Sequence, residues 1–321
     1  MSLLASWLAA PPPDAAVEIA PEAVAVGVLG RTPGRGGATL DACAVQPLPS
    51  GAVVASMTAP NVVDREAVTG ALRAACDRLG VRPRRVALVI PDLAARVSLV
   101  RFERVPARAD DLEQLIRWQL KKAAPFPVED AVVSWSPGLR GAGGSEFVAV
   151  LARRDIVRGY ESACEQAGMH PGLVDLATLS LVNLFSAGPS TPAGDWLVVH
   201  MRPEYTSMVI LRGEHVLFFR SRAEGDEEAL PDVVHQTAMY YQDRLDGWGF
   251  SHVLLGGRGR SAGAMNVVRR SLEERLAAPV ESIDPARLLS FGPHVQMNPE
   301  SLPALAAIAG MLVRVWAEAA A

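Results

Sequence analysis

Eight residues near the start of the chain, Val17-Glu18-Ile19-Ala20-Pro21-Glu22-Ala23-Val24, align without a gap on Val199-His200-Met201-Arg202-Pro203-Glu204-Tyr205-Thr206. The match continues beyond them, with Val26, Val28 and Leu29 on Met208, Ile210 and Leu211. Apolar and β-branched residues on both sides of a Pro-Glu pair read as strand, tight turn and returning strand, so each copy predicts a β-hairpin. Two such copies within 321 residues predict a duplicated fold, with enough chain in each half to bury a core. Val/Leu-rich strand patterns alternate with helical ones between them, which makes the halves α/β.

Composition narrows the function classes. The 35 acidic residues outnumber the 31 basic ones and no basic block occurs, so no nucleic-acid partner is expected, since phosphate neutralisation needs a clustered Lys/Arg footprint. Half the residues are apolar, which excludes intrinsic disorder. Cys43, Cys76 and Cys164 are odd in number and unpaired in spacing, arguing against a disulfide framework or a zinc site and fitting a reducing cytoplasm. No apolar run is long enough to insert into a membrane; the stretch Leu302–Val313 reads as a buried helix. Met1–Ala10 lacks a basic n-region and runs into Pro11-Pro12-Pro13, so it reads as a frayed tail and not as a signal peptide.

Several elements are legible. Val86–Ile90 and Val97–Val105 read as strands; a helix capped by Asp110 or Asp111 carries Leu112, Ile116, Leu120 and Ala123 on one face, with Lys121 and Lys122 in its last turn. A second helix, capped at both ends, is predicted over Asp155–Gly168. Gly138–Ser145 reads as a hairpin loop, Ser186–Gly194 as a linker and Asp226-Glu227-Glu228 as a helix cap. The expected organisation is a tail at 1–13, a first domain at 14–187 with an inserted subdomain near 84–160, a linker at 188–194, and a second domain at 195–321.

Beyond these patterns the sequence resembles the PilM family, actin-like proteins of type IV pilus assembly, and through it the cell-division protein FtsA. The family's D-I-G-S-x-x-V start is matched by Glu18-Ile19-Ala20-Pro21 followed by Val24. Its Lys-x-x-x-Pro-Phe-Pro motif is matched by Lys121-Lys122-Ala123-Ala124-Pro125-Phe126-Pro127, and its strand-helix-return by Val148–Val157 and Gly168–Asp175. The resemblance covers about Val17 to Val315. It implies an actin-like (ribonuclease-H-like) α/β fold of two duplicated domains with an inserted subdomain, and an ATP/Mg site between the domains.

The phosphate hairpins depart from the family. Turns that cradle phosphate need small residues and free amides. Here Ala20 stands for the family's Gly, Pro21 has no N–H, and the second copy reads His200-Met201-Arg202-Pro203 in place of D-I-G-A. Glu18 keeps a carboxylate, and Arg202 offers a bidentate donor to phosphate without restoring the amide cradle. His200 is a poor magnesium ligand. Gly256 and Gly257, ending the run Val253-Leu254-Leu255, are the residual candidates for a nucleotide cleft, followed by a loop with Arg258 and Arg260. Zinc spacings among the six histidines, G-x-S-x-G and the P-loop pattern are absent, so no other catalytic constellation is expected.

The resemblance therefore implies a cytoplasmic scaffold with weak or no ATP turnover and no cofactor of its own. It would bind the N-terminal cytoplasmic peptide of a PilN-type bitopic inner-membrane protein and reach the membrane only through partners. The expected peptide groove lies beside the inserted subdomain, at Val97, Leu99, Arg101, Ile116 and Leu120. The alternatives are a working actin-like ATP-binding switch and a sugar-kinase-like phosphotransferase. The latter would need a catalytic Asp, for which no motif stands out.

Overall fold

Alternating burial along the strands sets the layers. In β1 (Ala15–Ile19), Ala16 faces one apolar cluster while Ala15, Val17 and Ile19 face another; in β9 (Asp195–Met201), Trp196 and Val198 oppose Leu197, Val199 and Met201. Such strands, buried on both faces, require a helical layer on each side. The computed structural model describes residues 13, 15–30, 39–141, 143–186, 192–223, 230–257, 263–285, 290–295 and 302–320. The expected tail Met1–Ala10, part of the linker, the Asp226–Glu228 run and the loop of Arg258 and Arg260 lie outside them.

Two sheets repeat one plan. In the first, β2 (Ala23–Gly30) lies between β1 and β3 (Thr39–Pro47) in antiparallel pairing, and β1 pairs in parallel with β4 (Arg85–Ile90), itself parallel to β8 (His170–Leu176). In the second, β10 (Tyr205–Arg212) lies between β9 and β11 (His215–Ala223), and β9 pairs in parallel with β12 (His252–Gly257) and that with β13 (Val280–Ser282). Ile19 pairs with Val24 as Met201 pairs with Thr206, and the turn bonds Ala20 N–H to Ala23 O (3.0 Å) and Arg202 N–H to Tyr205 O (2.8 Å) are equivalent. The gapless repeat is therefore a structural one.

Outer helices α1 (Arg65–Leu79) and α3 (Arg154–Gln166) cover the first sheet, while α5 (Leu230–Arg244) and α6 (Ala264–Leu276) cover the second. Between the sheets run α4 (Ala177–Ser186) and α7 (Leu302–Ala320), in one apolar cluster that draws on both. α7 carries the stretch expected at Leu302–Val313, buried from Leu305 to Val313. The chain after β13 returns to the first sheet, where β14 (Ser290–Val295) pairs in parallel with β3. The expected second domain thus lends an edge strand to the first.

A third sheet, β5 (Ala95–Phe102), β7 (Gly144–Arg153) and β6 (Ala131–Gly141), holds α2 (Ala109–Leu120) against it through Val100, Leu112, Ile116, Leu120 and Phe147. This inserted unit runs from Ala95 to Arg153; β4 and the first part of α3, expected inside it near 84–160, pack in the first main layer because their apolar faces meet β1 and α1. Gly138–Ser145 is mostly strand around a short turn. Side-chain capping is absent at α2 and α3: Arg108 and Arg153 occupy the N-cap positions, and the carboxylate of Asp155 is taken by Arg153.

α4 and α7 cross so closely that a Cβ at Gly310 would run into the backbone carbonyl of Ser180. Backbone cannot yield as a side-chain tip can, so Gly310→Ala is expected to lower unfolding free energy by about 1–3 kcal/mol in urea denaturation.

Candidate functional site

The two hairpin turns face each other, and what lies between them is the protein's own charge. Arg202, carried by the second turn, reaches across to the first: its Nη2 donates to Glu18 Oε1, and its Nε lies 3.6 Å from Glu22 Oε1. Both Arg202 and Glu18 side chains are only 2% exposed. A guanidinium cannot shed its proton, so burial there demands counter-charge. The carboxylates beside Arg202 hold its proton still more firmly, while burial pushes Glu18 up to about 7 despite the opposing pull of Arg202. One oxygen each of Glu18 and Glu22 accepts no hydrogen bond among the described residues.

A second polar cluster adjoins it. Asp92, fully buried just after β4, accepts at Oδ1 from the Thr178 amide (3.0 Å) and at Oδ2 from the hydroxyls of Thr178 and Ser207, the latter at 2.7 Å. Its own amide donates to the Tyr205 hydroxyl at 3.4 Å. His200 Nδ1 lies 2.7 Å from Thr178 Oγ1. Thr178 has one hydroxyl proton and gives it to Asp92, so His200 must donate from Nδ1. Burial lowers the His200 pKa well below its usual value, which keeps the ring neutral. Burial likewise raises Asp92, against the three hydrogen bonds donated to its carboxylate.

Of the residues expected at a nucleotide cleft, Glu18 and Arg202 are thus brought together, and Gly256 and Gly257 are paired in register with His200 and Met201. Packing explains both glycines. A Cβ at Gly257, where φ is +94°, would strike the Met201 carbonyl, and one at Gly256 would crowd Ile283 and Leu181. Asp92, Thr178, Ser207 and Tyr205 were missed by sequence reasoning. The available signal was Ile90-Pro91-Asp92, an acid at the carboxyl end of an apolar strand, where α/β sheets place their sites.

The expected groove residues do not assemble. Ile116 is 0% and Leu120 1% exposed, both shut inside the core of the small subdomain. Val97 packs toward the core of the first main layer, Leu99 is half-buried on β5, and Arg101 Nε donates to the Gly143 carbonyl at 3.0 Å, bracing the β6–β7 turn. These positions came from the resemblance and not from a residue pattern, and the packing of α2 on the small sheet encloses Ile116 and Leu120.

An open groove does lie beside the subdomain, at its other side. Phe126 and Pro127 of the Pro-Phe-Pro motif, Arg65 at the start of α1, and Arg154, Arg158 and Gly159 of α3 line a cavity of about 670 Å³. Nothing lies within 4 Å of where a Cβ at Gly159 would stand. A glycine inside a helix costs about 0.5–1 kcal/mol relative to alanine, and no packing among the described residues requires this one.

Removing one member of the buried pair is costly because the other stays uncompensated. Arg202→Ala is expected to destabilise the fold by roughly 3–5 kcal/mol, and Arg202→Met with Glu18→Met to recover most of the loss in chemical denaturation. Glu18 titrates at about 7 folded against an ordinary 4.5, so its protonated form favours the folded state below 4.5 and that stability is lost as pH rises to 7. Glu18→Gln should flatten the stability profile across that window, read by thermal unfolding in a buffer series.

Among the described residues no group of three His, Cys, Asp or Glu side chains is placed to hold a metal, and no helix is long and apolar enough to cross a membrane. Comparison with curated protein sequences finds no match. The solved structure of a PilM-PilN type IV pilus biogenesis complex superposes with a TM-score of 0.78 at 19% identity, covering 94% of this chain and 98% of that one. A Bacteroides thetaiotaomicron protein with an actin-like ATPase fold and unknown function follows at TM-score 0.50 and 11% identity, covering 89% and 95%. These likenesses give the fold as actin-like. The model of the family described as type IV pilus assembly protein PilM matches residues 16–244, well over half of the sequence, and the chain belongs to that family.

Proposed function

We propose that this protein is a type IV pilus assembly adaptor that works by recruitment, with little or no ATP turnover, holding the cytoplasmic N-terminal peptide of a PilN-type inner-membrane protein. The observation that carries the reading is the occupation of the cleft by Arg202, paired with Glu18 and near Glu22. Those carboxylates are the ones a magnesium ion would need, and a cation already neutralises them, so the donor set does not fit the metal. Pro21 and Pro203 supply no amide to a phosphate at either turn. Asp92 already accepts three hydrogen bonds from Thr178 and Ser207, which counts against a general base for phosphoryl transfer.

Recruitment then falls to the groove at Phe126 and Pro127. Its wall mixes apolar surface with guanidinium donors, the combination that holds an extended peptide by buried side chains and backbone hydrogen bonds. The membrane location follows from the partner, not from this chain.

Thermal unfolding of the wild type with magnesium and ATP should show no saturable stabilisation; a shift of several degrees would instead favour the nucleotide switch. Gly159→Trp fills open space above α3, so it should abolish binding of the PilN-type peptide in fluorescence anisotropy while leaving the melting temperature unchanged or higher. Wild-type binding that survives this substitution would remove the groove from the reading.

A further inference from the structure

We infer that the occupant of this groove is an acidic peptide segment, one that places an apolar side chain against Phe126 and a carboxylate among the arginines; this rests on the reading of the groove as a peptide site. Charge is the first ground. Arg153 is neutralised by Asp155, but Arg65, Arg154 and Arg158 face the cavity against the single acid Asp130. A protein with net charge −4 thus concentrates positive charge in this groove beside its inserted subdomain. A surplus of guanidinium at a concave surface attracts carboxylate, and forked N–H donors bind it bidentately.

Pre-organisation is the second ground. Arg154 Nη2 donates to the Ala131 carbonyl at 3.0 Å, and Arg153 Nη1 donates to the Thr58 carbonyl. Neutral carbonyls fix a guanidinium without cancelling its charge, so the remaining donor edge of Arg154 is held in place for a ligand. Arg158 has only a long contact, 3.8 Å, to the partly exposed Glu161. Gly159, one residue along α3, leaves the floor open between these arginines and Phe126. Apolar contact and charge recognition therefore sit side by side, and a ligand must carry both.

The test uses the full chain and short labelled peptides in which two adjacent leucines are followed by Glu-Glu, Gln-Gln or Lys-Lys, beside the cytoplasmic N-terminal peptide of a PilN-type protein and its variants with each acid changed to Gln. Fluorescence anisotropy should rank Glu-Glu roughly tenfold or more above Gln-Gln, with the gap closing as salt rises. Arg158→Glu and Arg65→Glu, both at exposed positions, should reverse the order toward Lys-Lys at unchanged melting temperature. If the peptides bind with no preference for acid, or if the charge-reversal variants leave the order unchanged, the inference is overturned while the groove reading stands. Failure of every peptide, the PilN-type one included, overturns both.

Discussion

A guanidinium that cannot lose its proton sits inside this protein where water is excluded, and the carboxylates that neutralise it come from the other half of the chain. That requirement ties the two hairpins together. Arg202 without Glu18 would be an uncompensated buried charge, and so would Glu18 without Arg202, so the halves are satisfied only when docked. A buried pair of this kind adds little net stability over apolar residues of equal size, because desolvation offsets the attraction. Its effect is on arrangement: it fixes which surfaces meet and in what register. The neighbouring network of Asp92, Thr178, His200 and Ser207 acts the same way, with each donor and acceptor assigned and none interchangeable.

The docking depends in turn on the helix pair between the sheets. α4 and α7 contribute to one apolar cluster with β1, β4, β9 and β12, so the two sheets share a core and do not merely adjoin. Small residues along α7, Ala306, Ala307, Ala309 and Gly310, let it approach α4 and the sheets closely enough to bring the turns within side-chain reach. The return of β14 to the first sheet adds a backbone hydrogen-bond ladder that holds the halves together.

With the central cleft committed to internal charge, recognition on the proposed reading moves to the surface of the first half. Phe126 and Pro127, at the exit of α2, and the arginines of α3 meet there because the inserted unit lies over the ends of α1 and α3. On that reading the fold serves as a support for a groove, which suits a protein that positions another.

The duplicated hairpin, the α/β alternation, the strand Val86–Ile90, the buried C-terminal helix and the loss of amides at Pro21 and Pro203 were all legible in the sequence, because each depends on local pattern or on a single residue's covalent chemistry. The pairing of Arg202 with Glu18 was not, nor the hub at Asp92: residues far apart in sequence meet only through the packing of two sheets around α4 and α7. The burial of Ile116 and Leu120 was settled the same way. Periodicity shows that Ile116 and Leu120 share an apolar face, but only the position of β5 and β7 decides that this face is inside. Sequence by itself determined which backbone groups could never grip a phosphate; tertiary structure decided that a side chain from the opposite half would take up the vacated charge balance, since burial of charge is settled by what stands nearby in space.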